Sequence, residues 1–168
     1  MRKSALLLNV FLLLLAVSLF TSCEPDILEP TVVNPSINFV IEDPYVSGSA
    51  TVATGAWFEV KVNVTKGSEF LRTVTVYEDD VKISDYTSRL TYNSTAFEAN
   101  PKLLTDLEKE GFQWVIGIKA HTEADMTKNY RVEITDEGRN FQSTEVAIST
   151  ESVPPSFSFV EEAPYFWG

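Results

Sequence analysis

The sequence WFEVKVNV, residues 57–64, places an apolar side chain at every second position. Successive side chains of a β-strand point to opposite faces, so this spacing predicts a strand with one buried face and one outward face. The buried face would contain Phe58, Val60, Val62 and Val64. The outward face would contain Trp57, Glu59, Lys61 and Asn63. This segment therefore favours a sheet over a helix.

Strand-like segments continue from Ser36 to Thr150. They are INFVIE, RTVTVYE, VKIS, RLTYN, FQWVIGIKA, NYRVEIT and TEVAIST. Seven or eight short strands with turn residues between them predict an all-β fold, an antiparallel β-sandwich over residues 36–150. A single core is expected for a domain of this length.

One short helix is predicted to cross between strands near residues 100–111. Asn100 suits the N-cap, Pro101 suits the first turn, and Gly111 suits the end of the helix. The buried stripe of this helix would contain Leu103, Leu104 and Leu107.

The last part of the predicted sandwich carries the motif YRVEITDEGRNFQSTEVAIST, residues 130–150. Asp136, Glu137 and Gly138 occupy the turn, where glycine adopts a positive φ and aspartate bonds neighbouring amides. The motif resembles the closing hairpin of bacterial immunoglobulin-like and cadherin-like domains. The resemblance implies an immunoglobulin-like sandwich of the branch that lacks the Cys…Trp…Cys pattern of antibody domains.

The N-terminus has the organisation of an export signal. Arg2 and Lys3 form a short positive region, and an apolar stretch follows from Ala5 to Phe20. This stretch is shorter than the roughly 20 residues that a membrane-spanning helix needs. We therefore expect a signal peptide over residues 1–22.

Cys23, the only cysteine, follows Thr21 and Ser22 directly after the apolar stretch. This arrangement resembles a bacterial lipoprotein signal, with Phe20 as found in the looser signals of Bacteroidota-like surface lipoproteins. The resemblance implies cleavage before Cys23, which would carry a diacylglycerol and an N-acyl chain such as palmitate. Glu24 then favours the outer membrane, on its periplasmic or cell-surface face. The alternative is an ordinary secretory signal with a coincidental cysteine.

Residues 23–35 are predicted to form a semi-stiff tether between this anchor and the sandwich. Prolines at 25, 30 and 35 fix φ and disfavour helix, and the segment has no hydrophobic periodicity.

The charge of the chain restricts its partners. Without Arg2 and Lys3, 11 Lys and Arg side chains face 24 Asp and Glu, which gives a net charge of about −13. A surface this acidic repels phosphate backbones, so nucleic acid and anionic lipid are poor partners. We expect a monomer.

The two ends of the mature chain resemble each other. Residues 35–48, PSINFVIEDPYVSG, and residues 155–168, PSFSFVEEAPYFWG, share eight identities in fourteen places. The offset of 120 residues suits a whole sandwich plus a linker. We expect residues 151–168 to contain a linker and the first strand of a second domain in a tandem array. The alternative is a terminal strand of the same domain.

Candidate catalytic and metal-binding residues are few. His121 could act as a base or ligand beside Glu123 or Asp125, but a lone loop histidine is more often only solvated. Motifs for a phosphate loop or a zinc protease are absent from the sequence. Calcium is a weak prediction from acidic turns that contain Asp79, Asp80 and Asp136.

Three aromatic side chains are candidates for ligand binding. If Trp57, Tyr77 and Tyr92 all face outward, they could stack on sugar rings or contact a protein partner. The leading hypothesis is nevertheless a non-enzymatic surface lipoprotein whose domain is a spacer or interaction module. The alternatives are glycan or protein binding through an exposed aromatic face, and a hydrolase whose catalytic part lies downstream.

Overall fold

The computed structural model describes residues 31–152, and the predictions for residues 1–30 and 153–168 lie outside them. The elements in chain order are β1 (Ser36–Phe39), β2 (Ala50–Ala53), β3 (Trp57–Thr65), β4 (Leu71–Glu78), β5 (Val81–Lys82), α1 (Tyr86–Arg89), β6 (Leu90–Tyr92), β7 (Thr95–Ala96), β8 (Lys102–Leu103), β9 (Gly111–Lys119), β10 (Thr127–Asp136) and β11 (Phe141–Glu151).

The strands form two sheets that pack face to face. One sheet has the order β1-β3-β9-β6-β7, and the other has the order β2-β11-β10-β4-β5, with β8 also paired to β4. This arrangement is an immunoglobulin-like β-sandwich, because the first strand divides into β1 and β2 and each half joins a different sheet. The predicted fold class is confirmed.

The prediction of purely antiparallel sheets is wrong at one position. β2 pairs in parallel with β11, from Ala50 opposite Ile148 to Ala53 opposite Glu151. The chain crosses from β1 in one sheet to β2 in the other without reversing its direction. It therefore runs in the same direction as the last strand.

The core lies between the sheets and follows the predicted alternation. In β3, the four predicted inward side chains are at most 5% exposed. β9 and β10 contribute fully buried isoleucines, and the ring of Tyr130 packs edge-on against Phe58 with centroids 5.1 Å apart. Burial of these apolar surfaces is the main source of stability in a domain that has no disulfide.

The predicted helix at residues 100–111 is wrong. The helix within residues 31–152 is α1, which has four residues, and Lys102–Leu103 forms β8 against β4. Asn100 is buried, and its amide bonds the backbone N–H and C=O of Val76 and the C=O of Ile83. These bonds hold the chain extended along β4, and Leu107 is 92% exposed instead of lying on a buried stripe.

The chain enters and leaves the sandwich at opposite ends. At the proximal end, β1 begins where Ser36 lies opposite Thr65, the last residue of β3. At the distal end, β11 finishes near the start of β3, and Thr54 donates a backbone hydrogen bond to Glu151. The nine residues of β3 separate the two ends by about 30 Å.

Candidate functional site

A polar cleft of about 290 Å³ lies at the distal end. It forms where α1, the end of β4 and the loop after β9 meet. Its charged and ionisable lining includes Glu78, Asp85, Arg89, Lys119, His121, Glu123 and Lys128.

Glu78 is the centre of an ion-pair network in the cleft. Its carboxylate accepts hydrogen bonds from Arg89 and, at 2.9 Å, from the Nζ of Lys128. Lys128 also lies 3.3 Å from the carboxylate of Glu123. Burial opposes ionisation of Glu78, but the hydrogen bonds from Arg89 and Lys128 outweigh it and hold its pKa below the usual range. The same contacts raise the pKa of Lys128.

His121 lies at the inner wall of the cleft and is buried, so the expectation of a solvated loop histidine is wrong. Its Nδ1 lies 3.2 Å from the hydroxyl of Tyr130, and its Nε2 lies 2.9 Å from the hydroxyl of Thr150. The Thr150 hydroxyl donates to the carbonyl oxygen of Glu123, so it accepts from Nε2. In a neutral imidazole, these bonds would place the ring proton on Nε2.

Tyr130 connects this histidine to the backbone. Its hydroxyl accepts a 2.9 Å hydrogen bond from the backbone N–H of His121 and donates to the imidazole. A tyrosine early in this strand that bonds an upstream backbone group is the tyrosine corner of immunoglobulin-like domains. Burial raises the pKa of Tyr130 well above its usual range. Because the polar atoms of His121 and Tyr130 bond one another, this cluster acts structurally.

Trp57 is the most accessible of the three candidate aromatics. It is 49% exposed on the outer face of β3. Its ring lies over Gly117 of β9, where an added Cβ would stand 3.6 Å from the ring and 2.4 Å from Oγ1 of Thr91. The absence of a side chain at Gly117 therefore leaves room for the Thr91 hydroxyl, whereas an added Cβ would make only ordinary van der Waals contact with the indole. Lys119, which lines the cleft, is the register partner of Trp57.

Tyr77 and Tyr92 do not share this surface, so the prediction of a common aromatic face is wrong. Tyr77 belongs to the other sheet, where Arg131 lies 4.1 Å above its ring and its hydroxyl donates to Glu133. Tyr92 points inward, as Leu90 does two positions before it, and its ring centroid lies 4.8 Å from that of Trp114. Simple alternation fails for Tyr92 because β6 is too short to show its period.

The acidic residues considered for calcium lie in two separate places. Asp79 and Asp80 lie in the turn after β4, at the distal end, where they bond Asn129 and Arg131. Asp136 lies at the proximal end, and its carboxylate bonds Asn140 in the β10–β11 turn. The three therefore cannot hold one ion. Residues 31–152 contain no cluster of three or more metal-ligating side chains.

Sequence reasoning did not identify Arg89 and Lys128 as neighbours in the cleft, or Thr150 as a partner of His121. Long-range pairing brings them together, and no local motif marks such contacts. Gly117 was detectable, because a glycine inside a strand often marks a close approach of another group. Cys23 lies outside the described residues.

Comparisons with known proteins leave the family of the chain open. The fold is that of an immunoglobulin-like β-sandwich, and none of the helices within residues 31–152 could span a membrane. No protein-family model matches the sequence, and no curated protein matches it.

Several solved structures resemble the chain. A lipoprotein of a conjugative transposon from Bacteroides eggerthii is 18% identical over 68% of this chain and 95% of that chain, with a TM-score of 0.45. A family 123 glycoside hydrolase from Clostridium perfringens is 14% identical over 71% and 27%, with a TM-score of 0.47. A fibronectin(III)-like module of Clostridium thermocellum CbhA is 8% identical over 71% and 100%, with a TM-score of 0.41. At these identities and TM-scores, the similarities do not indicate a function for this chain.

Proposed function

We propose that the protein is a non-catalytic, lipid-anchored protein of the bacterial outer membrane, and that its sandwich is a spacer or interaction module in a tandem array. The observation that carries this proposal is where the chain enters and leaves the sandwich. These two points lie at opposite ends of the sandwich, about 30 Å apart. Each domain with this geometry adds its length to the distance between the anchor and whatever follows.

The resemblance of residues 35–48 to residues 155–168 supports the tandem arrangement. In the sandwich, the first of these segments contains β1. A second copy 120 residues later corresponds to the beginning of another domain of the same kind.

Two epitope tags test the spacer. One tag is inserted after Leu107, at the proximal end, and the other after Ser152, at the distal end. On intact cells we expect an antibody to label the distal tag several-fold more strongly.

The lipid anchor has its own test. A Cys23→Ala variant should lose incorporation of labelled palmitate and leave the membrane fraction. Equal palmitate labelling of Cys23→Ala would contradict the anchor, and equal labelling of both tags would contradict the spacer.

A second candidate function is the binding of a neutral sugar through Trp57. Its exposed ring lies beside Lys119 and the polar cleft, so a pyranose stacked on the indole would meet hydrogen-bonding groups at its edge. The net charge of about −13 disfavours an acidic sugar.

Titration with neutral oligosaccharides tests the sugar site. We expect Trp57→Ala to weaken binding by about tenfold, because the stacking surface is lost. Met126→Ala is the matched control, because Met126 is 47% exposed and also lies at the distal end. The same loss in both variants, or preferred binding of uronic acids, would exclude this site.

A further inference from the structure

The proximal end exposes an unusual set of apolar side chains. Its members are Val32, Val33, Phe70, Leu107 and Phe141, and Leu107 and Phe141 are 92% and 61% exposed. They come from four different segments of the chain. Single exposed apolar residues are ordinary, whereas a contiguous apolar patch often marks an interaction surface.

Hydrogen bonds and one ion pair hold these four segments together. Val33 exchanges hydrogen bonds with Ser68, two residues before Phe70. The carbonyl oxygen of Phe70 accepts from the N–H of Glu137, in the turn that precedes Phe141. The turn that contains Leu107 is fixed to the same place, because Lys109 lies 3.4 Å from the carboxylate of Glu137. The apolar side chains are therefore presented by one ordered end of the sandwich.

The position of Cys23 indicates what this surface meets. Nine positions separate Cys23 from Val32, and even a fully extended chain of that length reaches only about 30 Å. A lipid on Cys23 would keep the proximal end within that distance of the bilayer. Such a short tether gives an effective concentration in the millimolar range, so a weak affinity for the membrane is enough for contact.

We propose that the proximal end docks on the membrane that carries the anchor, with Phe70, Leu107 and Phe141 at the boundary between headgroups and acyl chains. This proposal rests on the lipid anchor of the proposed function.

The charges around the apolar side chains indicate which type of lipid this end would contact. Lys66, Lys109 and Arg139 are outnumbered at this end by Glu69, Asp106, Glu108, Glu110 and Glu137. The docking surface is therefore suited to zwitterionic lipid and not to anionic lipid.

Cys23 allows a test that does not depend on natural lipidation. As the only cysteine, it can be coupled in the chain from Cys23 to Gly168 to a maleimide lipid in phosphatidylcholine vesicles. Hydrogen exchange is then measured by peptide. We expect exchange in residues 66–70, 105–110 and 137–141 to slow by about threefold or more on the vesicles. Distal residues 79–85 and 122–127 should exchange as they do in solution. Phosphatidylglycerol in the vesicles should reduce the protection.

Paired variants separate membrane contact from attachment alone. Leu107→Ser combined with Phe141→Ser should abolish the protection, and both positions are exposed enough for the fold to remain. Val81→Ser combined with Met126→Ser, at exposed distal positions, should leave it unchanged.

The docking would be overturned if the Leu107/Phe141 double variant kept its protection from exchange. It would also be overturned if the unsubstituted protein showed no protection when attached to vesicles. Protection that rises with protein concentration without vesicles would show a second copy on this surface and would also overturn it. Failure of palmitate labelling at Cys23 with a positive vesicle result would contradict the natural anchor alone and support the apolar surface.

Discussion

A Tyr130→Phe variant should lose about 2 kcal/mol of the free energy of unfolding. The hydroxyl accepts the backbone N–H of His121 and donates to its imidazole, and the phenylalanine ring leaves both groups buried without a partner. Urea denaturation followed by fluorescence measures this difference, because Trp114 is buried in the folded domain.

Tyr77→Phe is the matched control for this variant. The Tyr77 hydroxyl also donates one hydrogen bond, to Glu133, but this residue lies on the outer face of its sheet. Water can replace the lost partner there, so we expect a change below about 0.5 kcal/mol. An equal loss in both variants would show that the tyrosine corner has no special role in stability.

A Glu78→Gln variant should lose a similar amount, about 2 kcal/mol at neutral pH. The substitution keeps the shape of the side chain but leaves Arg89 and Lys128 beside each other without the carboxylate that both of them bond. Glu123→Gln is the control, because that carboxylate is more than half exposed and contacts only Lys128 among the basic side chains of residues 31–152. We expect little change from it.

The effect of Glu78 depends on pH in a defined direction. Its pKa in the folded protein lies below the ordinary value of 4.5, so its contribution to stability is present above about pH 4.5. That contribution is lost as the pH falls through the folded pKa. The difference in stability between wild type and Glu78→Gln should therefore shrink in acid. A difference that stays constant from pH 7 to pH 3 would contradict the ion-pair network.

The fold could be predicted from the sequence where strands were long. β3, β9 and β10 each have nine or more residues, so a period of two is visible and sets the buried face. β2, β7 and β8 have two to four residues and carry no readable period. The helix prediction failed at Asn100 because an asparagine that can cap a helix can equally bond the backbone of a neighbouring strand. Here its amide bonds the N–H and C=O of Val76 in β4.

The candidate site was harder to predict than the fold. Glu78 and Lys128 are 50 positions apart and meet only because β4 and β10 are neighbours in one sheet. Sequence composition also marked His121 as a solvated loop residue. In the folded domain, His121 is buried and bonded to the hydroxyl groups of Tyr130 and Thr150. No sequence pattern indicates which side chain such a hydroxyl group will bond.

The division of the first strand between the two sheets has a mechanical consequence. Tension applied between Ser36 and Glu151 acts along the strands, because these two residues lie at opposite ends of the sandwich. β1 is bonded to β3 over four residues, and β2 is bonded in parallel to the last four residues of β11. These hydrogen bonds run across the direction of pull, so several must break in shear together and cannot open one at a time. The domain would therefore resist extension under load until it ruptured as a unit.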